Sequence, residues 1–476
     1  MTAGAAGVAT RSIRLIWRKA RADSAAYSGP PDSRHALPLP VPSVHAAGRP
    51  PRPAPRDASA EPWRLARLLD APHRLAFFTG SVALSTSALW WLATLGAHFA
   101  GWEARWAVAP AHAHALLMSF SFMPMFFAGF LFTAGPRWLA LAAVPARRLL
   151  PTAAAWLAGW AAFLVGVHAD AAIAALGLAV VAAGWTLFAW RLVQLLRRSA
   201  VADRAHLRII ASACAIGAAA LWTGAAGLGT GHAAWLGAAL SAGLWWFLAP
   251  VFATAMHRMV PFFGVAAPRL DEKHPLWLLG TLLAVLLLQV PLGWAMPAER
   301  HVASGMLASD AAAAALVLVD AAAAALVLGL ALRWRATQNL RIRLLAMLAT
   351  GFAWLGLSLA LQAASGAQAW MAGSADPAPL AGLHALGMGF FGSIQFAFVT
   401  RVSAGQYGRA HAIDGYAWTL FLVVQAAVVL RIAAAWKPGL PVLLLAAAAL
   451  WTAAVLGWSA RHVLWYGRPR SDGRPG

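Results

Sequence analysis

The chain has 476 residues, 61% of them hydrophobic and only 11% charged, with a formal charge of +21. An average soluble domain carries about 25% charged residues, and no soluble fold buries this much apolar surface, so the composition excludes a soluble globular protein and makes lipid part of the solvent. The Lys and Arg sit mainly in the N-terminal tail and in short connections between apolar runs, so the charge reports membrane topology and argues against a nucleic-acid partner.

Twenty-five Trp against four Tyr suit a bilayer headgroup region, where an indole straddles apolar and wet layers. The single Cys, Cys214, lies in an apolar run. One chain can therefore build neither a disulfide nor a cysteine-based metal or iron–sulfur site.

Residues 1–72 are rich in Pro, Ala and Arg, lack periodic apolar faces and hold no stretch apolar enough for a signal peptide. Twelve basic and five acidic residues precede or include Arg74. This segment reads as a disordered basic cytoplasmic tail, or as sequence upstream of the true start, with binding to anionic lipid as the alternative.

Apolar runs follow near 75–98, 111–133, 150–168, 171–193, 208–228, 232–256, 275–297, 302–332, 341–364, 379–400, 414–434 and 439–460. Each is long enough to cross about 30 Å of hydrocarbon at about 1.5 Å per residue. The prediction is an all-α fold, a polytopic membrane helix bundle of about twelve transmembrane helices over residues 73–466, with a short cytoplasmic tail at 467–476.

Basic residues cluster in alternate connections: the N-terminal tail, Arg137/Arg147/Arg148, Arg191/Arg197/Arg198/Arg204, Arg333/Arg335/Arg341/Arg343 and Arg461/Arg468/Arg470. The opposite connections hold Glu103/Arg105, Asp170, Glu299/Arg300 and Asp376. The positive-inside rule then places both termini in the cytoplasm. Arg431 and Lys437 break the pattern, because they fall on the outer side.

The eighth span contains a tandem repeat, DAAAAALVLV at 310–319 followed by DAAAAALVLG at 320–329. The span is longer than the hydrocarbon is thick. A duplication explains it, while Asp310 and Asp320 stand as the functional alternative, since an intramembrane carboxylate is a site candidate by default.

The chemistry-bearing residues are the histidines. His112, His114, His232 and His384 sit at span ends on the outer side, whereas His73 and His257 sit on the cytoplasmic side beside Arg74 and Arg258. Neutral imidazole is the commonest metal ligand and holds haem iron axially. Pro110-Ala-His112-Ala-His114 opens the second span, with Pro suited to a first helical turn. The two imidazoles lie about 200° apart around a helix, so they serve two partners better than one ion. His384 opens the tenth span and is followed by Gly387, Gly389 and Gly392. Those glycines suit helix packing, or the approach of a flat macrocycle. Arg137, Arg258 and Arg401 close the second, sixth and tenth spans, where a cation complements the helix C-terminus, and together they offer a ring of guanidiniums for an anion. If His112, His114 and His384 share a centre, they must converge to within about 12 Å. His206 and His462 are read as lying in solvated cytoplasmic segments.

Several of these stretches resemble the NnrS family of bacterial membrane proteins. They are PHRLAFF at the first span, PAHAHALLMSF…AGFLFTAGPRW across the second, RMVPFFG after the sixth and LHALGMGFFG…VTRVSAGQYGR across the tenth. The resemblance implies a bacterial inner-membrane protein that binds haem and copper and is linked to the nitric oxide response and nitrosative stress, with nitric oxide or metal-nitrosyl species as partners. By position it implies His112, His114 and His384 as first-choice ligands, with His73, His232 and His257 behind them. Arg74, Arg258 and Arg401 become candidates for the cofactor's acidic groups. Ala115 stands where the family commonly has Glu after its His-Ala-His, which removes one carboxylate beside the ligands. A haem-copper oxidase or nitric oxide reductase-like subunit is the alternative, although an adjacent His-His copper pair is missing. A transporter is the second alternative, although no related pair of broken spans is evident.

Overall fold

A computed structural model describes residues 61–102, 104–263, 276–294, 306–337, 340–372, 379–409, 413–437 and 439–471. Most of the N-terminal tail, Glu103, Glu299/Arg300 and Asp376 fall outside the described residues, as do the side chains of Asp310 and of 260–263. Every regular element among the described residues is helical.

Among the described residues twelve helices are long and apolar enough to cross a membrane: α1 Pro72–Phe99, α2 Pro110–Trp138, α3 Ala146–Ala169, α4 Ala171–Arg198, α5 Ala205–Thr230, α6 Ala233–Met259, α7 Leu276–Trp294, α8 Ala311–Arg335, α9 Arg343–Met371, α10 Leu380–Gln406, α11 Gly415–Trp436 and α12 Pro441–Tyr466. Most neighbours in sequence pack together, and α12 returns to pack on α1. In lipid this is the expected solution, since each helix satisfies its own backbone.

The division between α3 and α4 has a local cause. Asp170 is extended, and its carboxylate accepts from the Ala172 N–H at 2.7 Å, which caps α4. The hairpin is then closed by small residues. A Cβ on Gly166 would collide with the backbone of Ile173 and Ala174, and one on Gly159 would meet the Gly177 carbonyl at 2.6 Å.

Three helices occupy the centre. The most apolar window is 72% buried in α2, 61% in α6 and 67% in α10, against 22% in α8, so the first three face protein and α8 largely faces lipid. Phenylalanines interlock them: Phe127 lies 5.0 Å from Phe252, and Phe252 stacks on Phe391 at 4.6 Å.

All three central helices contain a π-helical turn, at Leu117–Ser121, Gly243–Leu248 and Ala385–Phe391. In α2 and α6 a proline follows closely, Pro124 and Pro250. Its missing N–H and its ring disturb the preceding turn. In α2 the Met125 N–H bonds the Phe122 carbonyl at 3.1 Å, and the Ser121 carbonyl is instead satisfied by Trp156 Nε1 of α3. In α10 no proline is present, and Gly387, Gly389 and Gly392 supply the backbone freedom.

The tandem-repeat helix runs from Met306 to Thr337 as one unbroken element. Asp320 is buried and accepts from Gln289 of α7, so its carboxylate has a partner within the bundle.

A third carboxylate closes the last hairpin. Asp414 caps α11 through the Ala417 N–H at 2.9 Å, and Arg461 of α12 donates to both its oxygens. The hydrogen bonds from Arg461 hold the Asp414 carboxyl below its ordinary pKa. A depressed carboxyl stabilises the fold above the unfolded value of about 3.9 and loses that contribution as pH falls through the native value. Asp414→Ala is expected to cost about 1 kcal/mol, as a lost helix cap does. The difference from the native chain should shrink below about pH 4; a constant difference in detergent melts at pH 7 and pH 3.5 would contradict it.

Candidate functional site

His114 and His384 come together. The first sits in the opening turns of α2 and the second in the opening turns of α10, each just before a π turn. Their rings are nearly parallel, 15° apart, with centroids separated by 6.4 Å. Trp91 of α1 stacks on His114 at 3.9 Å. His384 Nδ1 donates to the Leu380 carbonyl at 2.7 Å. A carbonyl only accepts, so the proton is on Nδ1 and the Nε2 lone pair is left for a ligand. His114 Nδ1 is buried without a hydrogen-bond partner among the described residues.

The centroid separation is one that two imidazoles sharing a metal could have. Imidazole nitrogens about 2 Å either side of an ion put the ring centroids about 6 Å apart. The glycines beside His384 divide by role. Cβ atoms on Gly389 and Gly392 would meet Trp354 and Trp451, so those two serve packing, whereas one on Gly387 would meet nothing within 4 Å. Open space beside the imidazole pair is what a flat ligand needs.

Arg431 of α11, the residue that broke the charge pattern of the loops, is half-buried, and its charge acts on both His114 and His384. The sequence reading missed it as a site residue. The signal was available: a lone guanidinium against the positive-inside trend needs a local reason.

The other candidates separate. His112 and His232 are exposed, and His232 stacks on Trp235 of its own helix. His112 therefore does not join His114, as the opposed directions of i and i+2 on a helix required. His73, His257, Arg74, Arg258 and Arg401 lie near the opposite ends of their helices. Arg258 packs its guanidinium over Trp138 at 4.5 Å, and Arg401 is half-buried.

Two histidines expected in solvated segments are buried instead. α5 begins earlier than hydropathy indicated, at Ala205, which packs His206 against His257 with Nε2 and Nδ1 3.0 Å apart. α12 continues to Tyr466, and His462 is 1% exposed between Trp458 and Trp465. Charged neighbours ended the apolar runs but not the helices.

The two halves of the imidazole pair are also related in sequence. His114-Ala-Leu-Leu-Met-Ser-Phe120 in α2 matches His384-Ala-Leu-Gly-Met-Gly-Phe390 in α10. Each is followed, at the same distance, by Thr133-Ala-Gly135 and Ser403-Ala-Gly405. Ser241-Ala-Gly-Leu-Trp-Trp-Phe247 takes the same place before and within the π turn of α6, with Ser where the others have His. Arg258 and Arg401 then stand at equal distances beyond Phe247 and Phe390. α2 and α10 therefore share a short motif around their π turns, while α10 remains helical throughout.

A family profile described as NnrS protein matches residues 67–470. The chain belongs to the NnrS family. No curated protein matches the chain. Membership leaves the ligands of this NnrS chain to be argued from its own geometry.

The haem implied by the family fits the imidazole pair: one free lone pair on His384, an unpartnered nitrogen on His114 and open space at Gly387. Copper fits less well, because no group of three His, Cys, Asp or Glu converges among the described residues. His206 and His257 offer two nitrogens, fewer than the three protein ligands usual where a metal keeps an open position.

Proposed function

We propose that this protein is a haem-binding membrane protein of the nitric oxide response, with His114 and His384 as the residues that would hold the haem. The observation that carries the reading is the pairing of two imidazoles from distant helices, near-parallel and 6.4 Å apart, at matching positions of a repeated motif. A haem bound there would supply a redox-active iron, and two protein ligands suit electron transfer rather than gas binding. The protein's own contribution is to fix both rings. The Leu380 carbonyl sets the His384 tautomer, Trp91 stacks against His114, and the half-buried Arg431 offers a counter-charge for a carboxylate.

Arg74, Arg258 and Arg401 do not belong to this centre. His114 and Arg137 are separated by about 34 Å along α2, and His384 and Arg401 by about 26 Å along α10, at about 1.5 Å per residue. No propionate spans that from an iron held between the imidazoles. We read the arginine-rich end as cytoplasmic and the imidazole end as periplasmic, in the bacterial inner membrane, on the alternation of charged loops. No step is assigned to copper.

The motif shared by α2 and α10 is what a second reading, a transporter, would rest on. Against it, α10 stays helical through its π turn, and in both spans the shared motif puts an imidazole just before the turn. Haem and metal analysis of the purified protein separates the two. Stoichiometric haem iron is the expected result, and protein that is folded, free of haem and unable to take it up would leave transport as the better account.

A further inference from the structure

At the end of the bundle opposite the imidazole pair, several buried polar atoms of adjoining side chains have no hydrogen-bond partner among the described residues. His73, the second residue of α1, is 2% exposed, and neither ring nitrogen has a hydrogen-bond partner among the described residues. Arg74 beside it is 1% exposed. Its Nη1 donates to the Arg468 carbonyl at 2.9 Å, and its guanidinium lies 4.9 Å above the Tyr407 ring, yet its Nε is unpartnered. Tyr407 is 3% exposed with an unpartnered hydroxyl, and Arg468 Nε is unpartnered as well. Burial pushes the Tyr407 pKa up, so this hydroxyl stays a donor throughout the physiological range.

The charges agree with the donors. Arg137 and Arg470 act on His73 in addition to Arg74. The carboxylate recorded against Arg74 is Asp70, 3.5 Å away and itself exposed. Each buried donor left unpaired is costly, and here several adjoin one another with guanidiniums around them. A single neutral acceptor could not satisfy them, whereas an oxyanion presents three or more acceptor oxygens and the complementary charge.

We propose that the start of α1 and the ends of α10 and α12 form a binding site for an oxyanion of the phosphate class. The donors are Tyr407, Arg468, Arg74 and His73. Free phosphate and the headgroup of an anionic phospholipid share this chemistry. The site is independent of the haem reading, because it lies at the other end of the bundle.

The test uses the full chain, freed of lipid and phosphate, with melting followed in detergent and in nanodiscs. Sodium phosphate is compared with sodium chloride at equal ionic strength, and phosphatidylglycerol discs with phosphatidylcholine discs. At about 100-fold above Kd, a ligand selective for the native state raises Tm by several degrees. Tyr407→Phe and Arg468→Gln should each shrink that rise while leaving any visible absorbance unchanged. Stabilisation by phosphate identifies the free ion, and stabilisation by phosphatidylglycerol alone identifies the headgroup. No selective rise in either series, or an equal rise in both variants and the native chain, overturns the proposal; the second result would mean an adventitious ion only.

Discussion

His384→Ala and His114→Ala are each expected to strip the purified protein of its haem absorbance, while His112→Ala and His232→Ala leave it intact. The first two remove one of two rings that face each other 6.4 Å apart. The second two remove exposed imidazoles outside that pair. Losing an outer partner of a metal site costs about 10–100-fold in affinity, and losing a ligand costs more. Each variant keeps the helix intact, because Ala is the best helix former. Haem content per folded chain, measured after size-exclusion chromatography, is the readout. Equal loss in all four variants would show that the effect is on folding and not on ligation.

The largest structural effect is expected from Gly166→Val. The α3–α4 hairpin is among the closest-packed parts of the molecule, and at Gly166 the missing Cβ leaves room for the backbone of Ile173 and Ala174. A flexible side chain could move aside, but two backbones joined by the short turn at Asp170 cannot. Overpacking commonly costs about 1–3 kcal/mol, and a backbone clash at a capped hairpin should reach or exceed the upper value. Gly237→Val, where a Cβ would meet nothing within 4 Å, is the matched control. The yield of monodisperse protein should collapse for the first and hold for the second. Comparable yields would mean that α3 and α4 separate more easily than their packing indicates.

Much of this was legible in the residues. Twelve apolar runs gave twelve helices because in lipid each span must close its own hydrogen bonds, so length and hydropathy decide the element almost alone. The pairing of the second and tenth spans was legible through His114 and His384, which stand at span starts on the same side. Helix ends were less legible. His206 and His462 were assigned to solvent because Arg204, Arg208 and Arg461 interrupt the apolar runs. The helices run through Arg208 and Arg461, and Arg461 finds Asp414 instead. A hydropathy window registers the charge but not its partner.

The π turns were hidden for a related reason. Pro124 and Pro250 signal a disturbance, but whether a helix kinks or widens depends on partners such as Trp156, which a single sequence does not place. Arg431 shows the converse. Its departure from the loop pattern was visible, but its meaning required α11 to be packed beside α10. The arginines at the other end were legible as a group and misleading as a cofactor site, since helix rise alone separates them from the imidazoles.

The most direct test of the central claim is the reduced-minus-oxidised visible spectrum of the native chain, recorded with electron paramagnetic resonance of the oxidised form. Two imidazoles on one iron predict a low-spin, six-coordinate haem whose signal disappears in both His114→Ala and His384→Ala. A high-spin haem that survives either substitution, or folded protein with no Soret absorbance after haem is supplied, would contradict the assignment of this pair as its ligands.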